Sequence, residues 1–159
     1  MKILIVSDTH RNEDNLIEVL EKEKSLDLLI HCGDVEGAEY EIENYAGCKT
    51  VFVAGNNDFF SRLPRETQIQ VENYTIWVTH GHNYYVNTNP DYIKREAKIK
   101  NVDIVMYGHT HRPVIEKMEG LIAINPGSIS YPRQEGRRPS YAILELDGDR
   151  ITRLEILYL

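Results

Sequence analysis

Apolar residues in this chain fall in short unbroken runs, and the polar breaks between the runs repeat one theme. The first run, Lys2 to Val6, predicts a strand buried on both faces. Asn12-Glu13-Asp14 then offers a capping amide followed by acids. Leu16, Ile17 and Leu20 make a helical stripe that ends near Lys22 and Lys24. Further runs, Leu26 to Ile30 and Thr50 to Ala54, predict two more strands joined by a linking segment. Strand, helix, strand, linker, strand is the rhythm of a parallel sheet with crossovers.

The middle of the chain changes period. Glu66 to Val71 and Tyr74 to Thr79 read as strands meeting in a turn at Glu72-Asn73. Asn89-Pro90 opens a second helix, with Ile93 and Ala97 on one face, and Val102 to Tyr107 is another buried strand. Short strands follow at Val114 to Lys117, Leu121 to Ile124, Tyr141 to Leu146 and Ile151 to Tyr158. Glu119-Gly120 and Asp147-Gly148 supply turns between them. The expected fold class is α/β, with two central sheets flanked by helices. No repeat or linker-like tract divides the chain, so residues 1–159 are expected to form one domain.

Composition narrows the function. A net charge of −7, from 25 acidic and 18 basic residues, argues against general nucleic-acid binding. An acidic protein can still act on phosphates if bound metal ions supply the positive charge. No stretch approaches the roughly 20 apolar residues of a membrane span. Cys32 and Cys48 form neither a metal-type pair nor a disulfide framework, and the first apolar run is too short for a secretory signal. The expected location is therefore cytoplasmic.

Each strand exit carries metal-capable residues, usually beside a glycine. Asp8 and His10 follow the first strand; Asp34, Asn56, His80 and the pair His109/His111 follow four others. Ligands in open α/β sheets sit beyond the carboxyl ends of strands, so these clusters are expected to converge. If the exits are extended, Asp8 with His10 and His109 with His111 each present two side chains on one side. Gly33, Gly55, Gly81 and Gly108 let the backbone bend and leave room for an ion. Imidazole, carboxylate and amide donors without thiolate suit Mn, Fe, Co, Ni or Zn better than a structural zinc site.

The series Asp8-x-His10, Gly33-Asp34, Gly55-Asn56-Asn57-Asp58, His80-Gly81-His82 and Gly108-His109-x-His111 resembles the calcineurin-like metallophosphoesterase superfamily. The short chain and Asn125-Pro126-Gly127-Ser128 resemble its small single-domain phosphodiesterase branch. The resemblance implies a two-sheet sandwich with outer helices and two divalent metal ions. Mn2+ is expected first, with Ni2+, Co2+, Fe2+, Zn2+ or Mg2+ as alternatives. It implies one ion on Asp8, His10, Asp34 and His111, the other on Asp34, Asn56, His80 and His109, with Asp34 as the bridge. Such a pair generates a hydroxide for in-line attack on phosphorus. No nucleophile elbow or phosphate-binding loop competes with that reading.

Most of the superfamily carries a histidine directly after the motif's asparagine. Here it is Asn57, whose amide cannot serve as a general acid near neutral pH. His82 is then a candidate for that work, balanced against an ordinary surface position. His31 is expected to be packed within its strand or to support a ligand from behind, Asp58 to orient a neighbour, and Cys32 to be a small buried residue. Asn125 and Ser128 can line the pocket, but a Pro-Gly turn explains them equally. Arg133, Arg137 and Arg138 are expected to form a solvated loop.

The expected function is hydrolysis of a small phosphodiester substrate, with self-association of the chain left open. Two other readings compete. One is a non-catalytic protein-binding scaffold of the same fold, as in the retromer coat; the other is a phosphomonoesterase or nucleotide hydrolase. The full set of competent side chains at all seven candidate positions favours an enzyme over the scaffold.

Overall fold

The computed structural model describes all 159 residues. In chain order the elements are β1 (Lys2–Val6), α1 (Asp14–Lys22), β2 (Leu28–His31), α2 (Glu39–Ala46), β3 (Lys49–Phe52), β4 (Glu66–Val71) and β5 (Tyr74–Thr79). A 3-10 turn (His82–Tyr84), α3 (Pro90–Ile99), β6 (Ile104–Met106), β7 (Val114–Met118), β8 (Leu121–Asn125), β9 (Ser140–Asp147) and β10 (Arg150–Tyr158) follow. They build two five-stranded sheets, ordered β10-β9-β1-β2-β3 and β4-β5-β6-β8-β7. β1, β2 and β3 run parallel, as do β5, β6 and β8, while β9 lies antiparallel to β1. The expected α/β sandwich is what forms.

Period-2 alternation explains the layering. Ile3 and Ile5 of β1 face the second sheet and meet Ile76, Val78, Ile104, Met106 and Ile124 in the central core. Leu4 and Val6, one residue out of step, face outward onto Leu16 and Val19 of α1 and Ile42 of α2. On the far side, Trp77, Val105 and Ala123 pack against Ile93 and Ala97 of α3. Strands buried on both faces need apolar residues at every position, which is why β1 and β6 read as unbroken runs. No helix is long and apolar enough to cross a membrane.

Three local expectations change. The linking segment between β2 and β3 is a helix, α2; only Ile42 is buried, and Tyr40 and Tyr45 are exposed. A single buried residue leaves no helical stripe to read. Asn12 does not cap α1, whose N-cap is Glu13, and neither Glu13 nor Asn89 makes a side-chain cap bond. Asn12 instead offers its carbonyl to Ser130 Oγ at 2.6 Å. Pro90 does open α3. The β9–β10 turn sits at Gly148-Asp149, one residue later than the sequence suggests.

Candidate metal centre

The exits of β1, β2, β3, β5 and β6 meet at one end of the sandwich, and backbone bonds fasten them together. Asp8 N–H donates to Gly33 O and His10 N–H to Asp34 O, both at 3.0 Å, and Gly108 N–H donates to His80 O at 3.1 Å. The exits are not extended. Asp8, His10, Asp34, His109 and His111 all have positive φ, between 48° and 68°. Left-handed backbone is costly for such residues, and it clusters where surrounding structure enforces a functional geometry. The pairs Asp8/His10 and His109/His111 are thus presented by coiled loops rather than by strand alternation.

Six of the seven candidate ligands bring donor atoms close together. Asp8 Oδ1 lies 3.1 Å from His111 Nε2, 3.7 Å from His10 Nε2 and 3.9 Å from His80 Nε2. Asp34 Oδ2 lies 3.7 Å from His10 Nε2 and 3.3 Å from His80 Nε2. Asn56 Oδ1 is 3.1 Å from His80 Nε2. Two groups have the spacing to hold a metal ion: Asp8 with His10 and His111, and Asp8 with Asp34 and His80. His109 stands at the edge, its ring centroid 5.1 Å from that of His80 and its backbone N–H on Asp8 Oδ2 at 3.1 Å. Both aspartates lie between the two sides of the cluster, so Asp8 shares the central position that the resemblance gives to Asp34 alone.

The imidazoles are aimed by their second nitrogens. Nδ1 of His10 faces Glu36 Oε1 at 2.7 Å, that of His80 faces Cys32 O at 2.8 Å, and that of His111 faces Tyr131 O at 2.5 Å. A carboxylate or carbonyl only accepts, so each Nδ1 carries a proton and each Nε2 is the nitrogen turned inward, where a metal would bind. Glu36, Cys32 and Tyr131 escaped the sequence reading, and two of them act through carbonyls that every residue possesses.

Electrostatics follow from this crowding. Burial raises the pKa of Asp8, but the nearby imidazoles of His111 and His80 outweigh it and leave it below the ordinary carboxylate value. Asp34 behaves likewise: burial opposes, yet His80 and Asn57 hold it well below the usual range. His80 is raised, since Asp34 and Asp8 overcome its burial. Burial, followed by the charge of His80, lowers His109 to about 4.

The family profile of the calcineurin-like phosphoesterase superfamily domain matches residues 1–149. The chain belongs to that superfamily. It is 36% identical over 155 residues to the probable metallophosphoesterase YsnB of Bacillus subtilis, covering 96% of this chain and 88% of that protein. Phosphodiesterase YfcE of Escherichia coli is 29% identical over 171 residues, with 92% and 89% covered. Among solved structures, a predicted phosphoesterase from Streptococcus pneumoniae superposes with a TM-score of 0.84 at 28% identity, over 99% of this chain and 88% of that one. Vps29 from Entamoeba histolytica, at 21% identity, shares the fold with a TM-score of 0.83 over 100% and 99% of the chains.

Metallophosphoesterases use divalent metal ions, and the residues here fit them. Asp8 Oδ1 is buried without any hydrogen-bond partner, an arrangement that is costly unless a cation completes it. His10 and His111 bring their Nε2 atoms to 3.3 Å of each other with both Nδ1 positions already donating. Two lone pairs at that distance repel, and a shared cation resolves the conflict. Mixed oxygen and imidazole donors suit a first-row divalent ion.

The remaining predicted residues sort by their contacts. Asn57 donates to both oxygens of Asp34, through its backbone N–H at 2.8 Å and its side-chain Nδ2 at 2.7 Å. Asp58 accepts from the backbone N–H groups of Asp34, Glu36 and Gly55 at 2.6–2.8 Å, and of Val35 at 3.4 Å. It therefore orients the Asp34 loop, as expected. At Gly55 a Cβ would collide with the Asp34 carboxylate, so only glycine fits there. His31 is buried, contacts Thr9 Oγ1 and accepts from Gly33 N–H. Asn125 bonds Gly108 O and Thr110 Oγ1, and Ser128 Oγ donates to Asp8 O, so both brace the loops from beneath. His82 is half-buried, with its Nδ1 unpartnered and its ring 5.4 Å from His80.

Proposed function

We propose that this chain, acting as one domain, is a phosphodiesterase that uses two divalent ions, Mn2+ foremost. Asp8, His10, Asp34 and His111 hold one ion, and Asp34, Asn56, His80 and His109 the other. The observation that carries this reading is the buried, partnerless Asp8 Oδ1 among three Nε2 atoms. Relatives whose names specify phosphodiesterase support the choice of ester class. Bound ions would supply the charge that neutralises the phosphate and lowers the pKa of water to about 7.

The protein's own part is positioning. Asn57 clamps the Asp34 carboxylate plane, and Glu36, Cys32 O and Tyr131 O fix three imidazole tautomers. His82 faces the same space. Burial, then the charge of His80, hold its pKa below the ordinary histidine value. Its unpartnered Nδ1 is free to meet a leaving oxygen.

The test is hydrolysis of bis(4-nitrophenyl) phosphate by chelated protein, then after return of Mn2+, beside the monoester 4-nitrophenyl phosphate. Activity should vanish and return with the metal, and favour the diester. Undiminished turnover in protein shown metal-free by elemental analysis sinks the mechanism, and preference for the monoester sinks the ester class. The scaffold reading draws on the fold shared with Vps29. A scaffold gains nothing from retaining a buried carboxylate oxygen without a partner, which is why the enzyme is preferred.

A further inference from the structure

Beside the metal-ligand cluster, residues 55–64 form a loop with an unusual surface. Phe59 is 79% exposed and Phe60 fully so. Large apolar groups held in water carry a cost of about 25 cal/mol per Å2, and a contiguous exposed pair commonly marks a contact site. The loop is firmly held. Ala54 N–H donates to Pro64 O at 2.8 Å, Ser61 N–H to Asp58 O at 3.2 Å, and Asp58 is tied down by the backbone bonds described above. The aromatic surface is therefore a fixed feature of the fold.

Phe59 stands between two hollows. One, of about 430 Å3, reaches Asn57 and includes Arg11, Glu36, Glu39 and Arg62. The other, of about 400 Å3, reaches Asn56 and includes His82, Leu63 and Arg65. Both sizes are those of small-molecule sites. Charge separates them. In the first, Glu36 and Glu39 balance the two arginines, and Arg11 Nε already donates to Glu36 O at 3.2 Å. In the second, Arg65 has no acidic partner within ion-pair distance, and the only carboxylate, Asp58, is saturated by backbone N–H groups. Arg65 and His82 line this same hollow. In a chain of net charge −7, an unpaired arginine beside the site points to an anionic ligand.

We propose that the hollow bounded by Asn56, Phe59, Leu63, His82 and Arg65 binds a nucleotide-like arm of the diester, with its flat ring on Phe59 and a further phosphate on Arg65. This rests on the phosphodiesterase reading and names its substrate class. The first hollow, across Phe59, leaves room for the other ester arm that a diester has and a monoester lacks.

The test compares three Mn2+-dependent substrates sharing one leaving group: methyl 4-nitrophenyl phosphate, thymidine 5′-(4-nitrophenyl phosphate), and the latter bearing a 3′-phosphate. Wild-type kcat/KM should rise at each step. Phe59→Ala should remove the first gain, about tenfold and mainly in KM, because ring stacking is worth that much. Arg65→Gln should remove the second, which should also shrink with salt. Both side chains are exposed, so folding is not at stake. Unchanged substrate ratios in both variants overturn the proposal. If no diester is hydrolysed, the activity reading falls separately. Calorimetric binding of thymidine 3′,5′-bisphosphate to Mn2+-loaded protein then decides: weakening of about tenfold in Phe59→Ala upholds the subsite, and equal binding overturns it.

Discussion

The two sheets bring unlike chemistry to the same place. Loops after β1, β2 and β3 contribute Asp8, His10, Asp34 and Asn56, and so every carboxylate among the candidate ligands. Loops after β5 and β6 contribute His80, His109 and His111, which are imidazole throughout. The first set carries the carboxylates and is fastened within its own sheet, while the second is all imidazole and reaches across to it. His80 Nδ1 donates to Cys32 O, and His109 N–H donates to Asp8 Oδ2. Neither sheet alone presents a full coordination set. Metal affinity should therefore report on the packing between sheets, and charge neutralisation on the first sheet alone.

The sharpest test of that division is Asp34→Ala against His111→Ala. Removing the carboxylate should lose both ions and essentially all hydrolysis, whereas removing the imidazole should leave one ion partly bound. Elemental analysis after dialysis measures both; equal retention would erase the distinction between the sheets. Because Asp8 Oδ1 also lies 3.9 Å from His80 Nε2, Asp8→Ala should retain less metal than His111→Ala.

Next in size is the linkage between metal and sheet packing. An ion that binds only the folded chain at a hundredfold over its Kd stabilises by about 2.7 kcal/mol. For a chain of this size that is a rise in Tm of roughly 5–10 °C. Calorimetric scans with and without Mn2+ should show it in wild type and not in Asp34→Ala. A shift that survives in that variant would mean the ion binds elsewhere.

Asn57 probes how firmly the anionic set is held. Asn57→Asp replaces a donor to Asp34 Oδ2 with a like charge and should weaken metal binding about 10–100-fold. Asn57→His, which restores the residue usual in the superfamily, should also weaken binding rather than speed poor leaving groups, because the amide already has a partner. Faster alkyl diester hydrolysis with unchanged affinity would reinstate the missing-acid account.

The smallest effect concerns the floor of the first sheet. His31 is buried, and burial lowers its pKa to about 4 in spite of the opposing charges of Asp8 and Asp58. The unfolded chain takes up this proton near 6.5, the folded chain only near 4, so stability is full above 6.5 and falls as pH drops toward 4. Between pH 7 and 5 the loss should be about 2 kcal/mol. Urea unfolding of metal-free protein should show that slope, and His31→Gln should flatten it. Identical slopes would mean that His31 titrates in the fold as it does in the unfolded chain.

What was legible in the sequence follows the same divide between chemistry and geometry. β1, β4 and β5 keep the predicted bounds because alternation or continuous burial dictates each residue. α2 was not legible, since one buried isoleucine cannot mark a period. The candidate ligands could be named because carboxylates and histidines stand at successive strand exits. Their backbone could not: an Asp or His with φ near +55° looks like any other, and the strand-type i, i+2 argument assumed an extended backbone that these loops do not have. The carbonyls of Cys32 and Tyr131 leave no sequence signal. Asn57 read as a missing acid, while the fold makes it a partner of Asp34.

The pairing of β1 with β9 has a consequence in time. Ile3, Leu4 and Ile5 sit beside Leu144, Ile143 and Ala142, near the opposite end of the sequence. Synthesis proceeds at about 5–20 residues per second, so β1 waits roughly 7–30 s before this neighbour exists. Until then the first sheet lacks β9 and β10, and the bond from Ser128 that braces Asp8 cannot form. A growing chain that has not yet made β9 thus has no finished pocket to offer a metal, and loading follows the synthesis of that strand.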